Sequence, residues 1–190
     1  MRTFTLHTDC IVAVDESSSD AAFVRTLADA HKAGKAHVAV VPLSPAERQK
    51  SGSYLDDFDA FRDRLAVLDL AHLEILKPLA YFDISFPDRS IAADDAMEAF
   101  EKQIHDILFP ECEFTWEDYC DENGIDPSLT PHGRWRECKC GVLLMWAHIH
   151  DKRDVFVTAD DNFHNPAKRE ALVALGAGQI ERPEQAVALI

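Results

Sequence analysis

No stretch of this chain approaches the about 18 consecutive apolar residues that a membrane-spanning helix needs. At the amino terminus, Met1-Arg2-Thr3-Phe4-Thr5-Leu6-His7-Thr8-Asp9 puts an acid where a secretory signal needs its apolar core. Base is also scarce: 19 Lys and Arg stand against 34 Asp and Glu, a net charge of −15 at pH 7. Nonspecific nucleic-acid binding draws most of its affinity from phosphate contacts, so any nucleic-acid role here needs a local basic patch. Five cysteines (Cys10, Cys112, Cys120, Cys138, Cys140) are too few, and odd in number, for a disulfide framework, and reduced thiols are expected. These features predict a soluble, cytoplasmic protein without a membrane partner.

Several chemistries lack their motifs. The chain has no Gly-Lys-Ser/Thr phosphate loop, no Gly-x-Ser-x-Gly elbow and no Gly-x-Gly-x-x-Gly after its first apolar run. A phosphatase with an aspartyl nucleophile wants a second Asp two residues after Asp9, and Ile11 stands there. Cys112, Cys120, His132, Cys138, Cys140, His148 and His150 fall close together in sequence, but Cys112-x7-Cys120 and Cys138-x-Cys140 are not the close pairs of a structural zinc site. Buried free thiols are the better reading. There are no internal repeats and no low-complexity tract.

What is present is alternation of strand and helix. Thr3 to Leu6, continuing to Ile11-Val12, His37 to Val41 and Asp154 to Thr158 read as buried parallel strands, with a further strand at Leu73 to Leu76 and a weak one at Gln179-Ile180. Helices are expected after Ser17-Ser18-Ser19-Asp20 through Phe23, Leu27 and Ala30 to Gly34, along Leu55, Phe58, Phe61, Leu65 and Leu68, from Asn165-Pro166 to Gly176, and from Pro183 to Leu189. This predicts one three-layer α/β/α domain over residues 1–190 with a mostly parallel central sheet. Residues 78–137 break the alternation and read as a helical insertion, with one clear helix through Met97, Phe100, Ile104 and Ile107 and a polar loop at 121–133.

Acids fall where strands end. Asp9 closes the first strand, Glu47 follows the second and Asp160 follows the late one, so all three converge on one crevice if the strands are parallel neighbours. Converging carboxylates repel one another unless a cation neutralises them, and oxygen ligation suits Mg2+ or Mn2+. Plainer roles compete. Glu47 completes a capping box with Ser44, and Asp160 and Asp161 fit the first turn of a helix. Arg134, Arg136 and Lys139 around Trp135 could grip single-stranded RNA, although in so acidic a chain solvated charges around a core indole are the stronger reading.

The order of Asp9, Ser44-Pro45-Ala46-Glu47, then Phe156-Val157-Thr158-Ala159-Asp160 followed by Lys168-Arg169 and Pro183-Glu184-Gln185-Ala186, resembles the PIN domain family over residues 1–50 and 138–190. The resemblance implies a metal-dependent endoribonuclease with Asp9, Glu47 and Asp160 as catalytic and Mg2+- or Mn2+-binding acids, supported by Thr158 and Asp161. It leaves room for an antitoxin-like protein partner and for a homo-oligomer. The family's further acid, at the start of the helix before the late strand, has no counterpart: Cys140-Gly141-Val142 stand there. Either Glu137, about one turn earlier, substitutes as a ligand, or the site lacks one. The alternative function is a catalytically inactive PIN-like module acting in protein association.

Overall fold

The computed structural model describes residues 1–43 and 57–190. Among them, β1 (Thr3–Leu6), β2 (His37–Val40), β3 (Glu74–Ile75), β4 (Val155–Val157) and β5 (Gln179–Glu181) form one parallel sheet in the order β3-β2-β1-β4-β5. The central strands β1, β2 and β4 are buried on both faces because both faces are covered, as parallel sheets require, while the edge strands β3 and β5 carry polar residues. On one side, Phe4, Leu6, Val38, Val40, Val155 and Val157 pack on α1 (Thr8–Glu16), α2 (Ala21–Lys32), α3 (Phe58–Val67) and α9 (Pro183–Val187). On the other, Ala39, Phe156 and Ile180 point at α4 (Asp95–Leu108), α6 (Gly133–His150) and α8 (Pro166–Ala174). Alternate residues of each strand thus serve opposite layers, and the predicted three-layer α/β/α architecture is the one observed. No helix of the described residues is long and apolar enough to cross a membrane.

Two expectations change. The first strand stops at Leu6 rather than running to Ile11-Val12, and Asp9 lies in the first turn of α1. Cys10, Ile11 and Val14 are the buried residues that decide this: their spacing puts all three on one face of a helix. The His7 N–H still donates to the Val157 carbonyl at 2.9 Å, so the chain leaves the sheet only after one more bond to β4. The segment read as an insertion holds a second helix, α5 (Trp116–Asn123), capped by Thr115 and closed at Gly124, where a polar loop was expected to begin at residue 121. Its carboxyl boundary at 137 falls inside α6, one continuous helix whose middle is buried on every face. Ile104, Leu108, Phe109, Trp116 and Trp135 share a single core with Val142 to Ala147.

Two buried polar groups join the layers. His148, on α6, is fully buried. Its Nε2 donates to the Ala177 carbonyl at 2.8 Å, which leaves Nδ1 to accept from the Thr5 hydroxyl of β1 at 2.9 Å. Arg153 reaches under the sheet, giving Nη2 to the carbonyls of Phe4 and His37 at 3.0 and 2.9 Å and Nη1 to Glu74 at 2.7 Å. One guanidinium therefore ties β1, β2 and β3 to the start of β4.

The β4 to β5 connection depends on close backbone approach. At Gly178, φ is +62° and a Cβ would lie 2.4 Å from the Asp154 carbonyl oxygen, which accepts the Gln179 N–H at 2.9 Å. Gly178→Ala is expected to cost more than 2 kcal/mol in urea unfolding, whereas Gly34→Ala, with a similar φ but open space, is expected to cost only about 1 kcal/mol. Equal losses would remove the close approach as the cause.

Burial pushes His148 down to about 4 from its ordinary 6.5. The unfolded chain then takes up a proton between these values that the folded chain refuses. Stability attached to His148 is complete above pH 6.5 and is lost as pH falls toward 4, a change of roughly 3 kcal/mol. His148→Gln, which can keep both hydrogen bonds without titrating, should flatten the melting temperature over that window.

Candidate active site at the carboxyl ends of β1 and β4

Strand order reverses at β1: the chain steps outward through β2 to β3, then returns to β4 on the other side. The turns leaving β1 and β4 therefore flank the crevice where parallel α/β sheets place their ligands. Asp9 arrives on the first turn of α1, and Thr158, Ala159 and Asp160 arrive directly after β4.

The two turns meet through one carboxylate oxygen. Oδ2 of Asp9 accepts from the Thr158 hydroxyl at 2.7 Å, the Ala159 N–H at 2.8 Å and the Asp160 N–H at 3.1 Å. His7 Nδ1 lies 3.3 Å from the same oxygen and 3.2 Å from the Thr158 hydroxyl. Because that hydroxyl gives its only proton to Asp9, Nδ1 is the protonated ring nitrogen of His7. Burial pushes the Asp9 carboxyl up, but the pull of His7 and the hydrogen bonds from His7, Thr158 and Ala159 outweigh it and hold the group well below the usual carboxylate range. The other oxygen, Oδ1, is buried and, among the described residues, accepts no well-formed hydrogen bond, although the Cys10 thiol lies against this carboxylate. An ionised oxygen in that state is costly unless something cationic or protic reaches it.

The rest of the loop is built to hold this arrangement. Asp160 is exposed, and its side chain accepts from the Asn162 N–H at 2.9 Å, capping the short helix α7 (Asp161–His164). Asp161 receives Arg182 at 2.5 Å, and the same guanidinium donates to the Ala159 carbonyl at 2.8 Å. His164 Nε2 donates to the Thr158 carbonyl at 2.8 Å. Phe163 is fully buried and packs its ring against His7 and Phe156, with centroids 5.3 Å away in each case.

Of the residues singled out from sequence, Asp9, Thr158 and Asp160 come together. Asp161 sits beside them, turned to Arg182. Glu47, with Ser44, lies outside the described residues. Glu137 is exposed on α6, one turn before Gly141. A Cβ at Gly141 would meet the Phe109 ring at 3.3 Å and Phe163 at 3.6 Å, so aromatic carbon fills the place where the resemblance asks for an acid. Among the described residues, no group of three or more His, Cys, Asp or Glu side chains is arranged to hold a metal ion.

The expected RNA grip is corrected in part. Arg136 and Lys139 are buried, at 3% and 2% exposure, and Trp135 is core. Arg136 donates to the carbonyls of Pro131 and Asp83, and Lys139 forms an ion pair with Glu101 between the rings of Tyr81 and Phe114. These cations face inward because α6 is buried on all sides. Arg134 alone of the three is exposed, and it pairs with Glu111 at 3.2 Å. The residue that sequence reading passed over is His7; its one signal was its position two residues before Asp9, at the end of an apolar strand. Comparison with family models, with curated proteins and with solved structures gives no match.

Carboxylate repulsion would make Asp9→Asn stabilising, but the surroundings of Oδ2 are three hydrogen-bond donors and the His7 ring nitrogen. Asp9→Asn should therefore lower stability by roughly 2 kcal/mol at neutral pH, the worth of charge-assisted hydrogen bonds. The wild-type advantage is present above the ordinary carboxylate range and fades as pH falls through it, because the folded value is the depressed one. Chemical denaturation of both proteins at pH 7 and pH 3 checks the sign. Gly141→Asp should also destabilise, since its carboxylate would press on the Phe109 and Phe163 rings.

Proposed function

We propose that the protein is a PIN-like, divalent-metal-dependent ribonuclease acting on single-stranded RNA, with Mg2+ or Mn2+ held by Asp9 and Asp160 and completed by Glu47. The observation that carries this reading is the division of labour within Asp9. Oδ2 is saturated by Thr158 and the two following N–H groups, which fixes the carboxylate, while Oδ1 accepts no well-formed hydrogen bond among the described residues. An oxygen held in that way suits a hard cation, and its position between β1 and β4 suits a substrate site. A bound divalent ion would neutralise the phosphodiester and activate water. The chain's own contribution is to orient Asp9 through Thr158, to hold the 158–161 loop through Arg182, and to exclude water behind the site with Phe163 and Phe156.

A second reading is favoured by one observation. The position of the missing acid is walled by Phe109 and Phe163, which suits a PIN-like module that has lost catalysis and acts in protein association.

One experiment separates them. Wild type, Asp9→Asn, Glu47→Gln and Asp160→Asn are compared on single-stranded RNA with Mn2+ and with Mg2+, scoring the product's 5′-phosphate. The ribonuclease reading expects wild-type cleavage, faster with Mn2+ because that ion tolerates an incomplete oxygen shell, and a loss of roughly 100-fold or more in each variant. It also expects Mn2+ to raise the melting temperature of the wild type and to leave Asp9→Asn unmoved. Equal cleavage in all four proteins, with no thermal shift, would overturn it and leave the association module.

A further inference from the structure

The 78–130 segment carries 14 acids and two cations, Arg89 and Lys102, so 12 of the 15 net negative charges lie within it. Neither cation is spare: Lys102 is bound to Asp106 at 2.7 Å, and Arg89 lies over the Phe58 ring at 4.5 Å. On α5 and the loop after it, Glu117, Asp118, Asp121, Glu122 and Asp126 are all exposed.

Beside these acids stand the most exposed aromatic residue of the described chain and a companion. Phe82 is 86% exposed and Leu129 is 51% exposed. Isolated apolar residues on a surface need no explanation, but these two are held in place from below. The buried Arg136 guanidinium donates to the Asp83 carbonyl and to the Pro131 carbonyl, each at 2.8 Å, so one side chain fixes both loops. Trp116 Nε1 donates to the Leu129 carbonyl at 3.1 Å, and the Thr130 hydroxyl reaches Asp83 at 3.5 Å. Beneath lies a run of aromatic contacts, Tyr81 on Trp135, Trp135 on Trp116 and Trp116 on Tyr119. Asp83 takes φ +59°, the left-handed turn conformation that Asp adopts more readily than most residues. The fold thus commits a buried arginine to a turn whose next-door side chain is almost fully exposed.

We propose that Phe82 and Leu129 form a preorganised anchor for a basic amphipathic helix that brings an apolar face to them. Charge selects the occupant. RNA and a second copy of this chain both bring more negative charge to an already acidic face, whereas a basic polypeptide gains from it over the whole approach. Rigid aromatic anchors surrounded by a charged rim are what concentrates affinity in such contacts. The inference stands apart from the ribonuclease reading, since none of these residues belongs to the Asp9 site.

The test uses the full chain with three synthetic helical peptides: one amphipathic with leucine and lysine, one with glutamate in place of lysine, and one with lysine and serine only. Fluorescence anisotropy is read for wild type and for the Phe82→Ser/Leu129→Ser variant, whose changes are at exposed sites and should leave the melting curve in place. The leucine–lysine peptide should bind wild type and lose roughly 10-fold in the variant. The lysine–serine peptide should bind more weakly and equally to both. Equal binding of the leucine–lysine peptide to both proteins, or binding of the glutamate peptide as strong as that of its lysine counterpart, would overturn the proposal. So would self-association of the wild type that the variant abolishes, because the occupant would then be a second copy.

Discussion

The contact on which the crevice depends is the acceptance of three donors by one oxygen of Asp9. Parallel neighbours β1 and β4 are far apart in sequence, and their hydrogen-bond ladder ends at Leu6 and Val157. Beyond that point two turns must diverge, one into α1 and one into α7, and backbone N–H groups at a strand's end have no ladder partner. Asp9 supplies that partner from the other turn. Its charge makes those bonds stronger than neutral ones, and their geometry in turn fixes which carboxylate oxygen is left over. Structure and candidate chemistry are therefore the same interaction viewed from its two oxygens.

Most of the architecture was legible because it rests on periodicity. Strands buried on both faces give short apolar runs, and Phe23, Leu27 and Ala30, or Phe58, Phe61 and Leu65, give helical faces whatever their partners are. Legibility failed where one short apolar run admitted both readings: Cys10 to Val12 is continuous with β1 in hydropathy, and it is the burial of Cys10, Ile11 and Val14 on one helical face that decides against a strand. It failed again at α5, where Glu117, Asp118, Asp121 and Glu122 give a polar sequence that reads as a loop. That helix is specified by Thr115 at its start, Gly124 at its end and the two buried residues Trp116 and Cys120.

The site was legible in part for a related reason. Asp9 and Asp160 could be placed together because parallel strands bring their carboxyl ends together, a constraint of topology rather than of side chains. Arg136 and Lys139 could not be placed, because burial of a cation depends on partners distant in sequence: Asp83 for one, Glu101 for the other. A helix such as α6, with Trp135, Arg136, Cys138, Lys139 and Cys140 all inside, shows little amphipathic pattern, and pattern is what separates a surface charge from an interior one.

Those buried cations have a consequence for the whole molecule. Arg136, Lys139 and Arg153 are consumed in holding loops, helices and strands together, so their charge is spent where it steers nothing from solvent. The acids of the described residues are mostly at the surface, and a surface of one sign raises the local concentration of counter-ions near it. For a site built around Asp9 Oδ1, that field favours the arrival of a small divalent cation and opposes the arrival of a polyanion. On the ribonuclease proposal, RNA would therefore bind after neutralisation, either by metal in the crevice or by a basic partner on the acidic 78–130 segment. The two proposals meet at this point on electrostatic grounds alone: each supplies positive charge that the fold has turned inward.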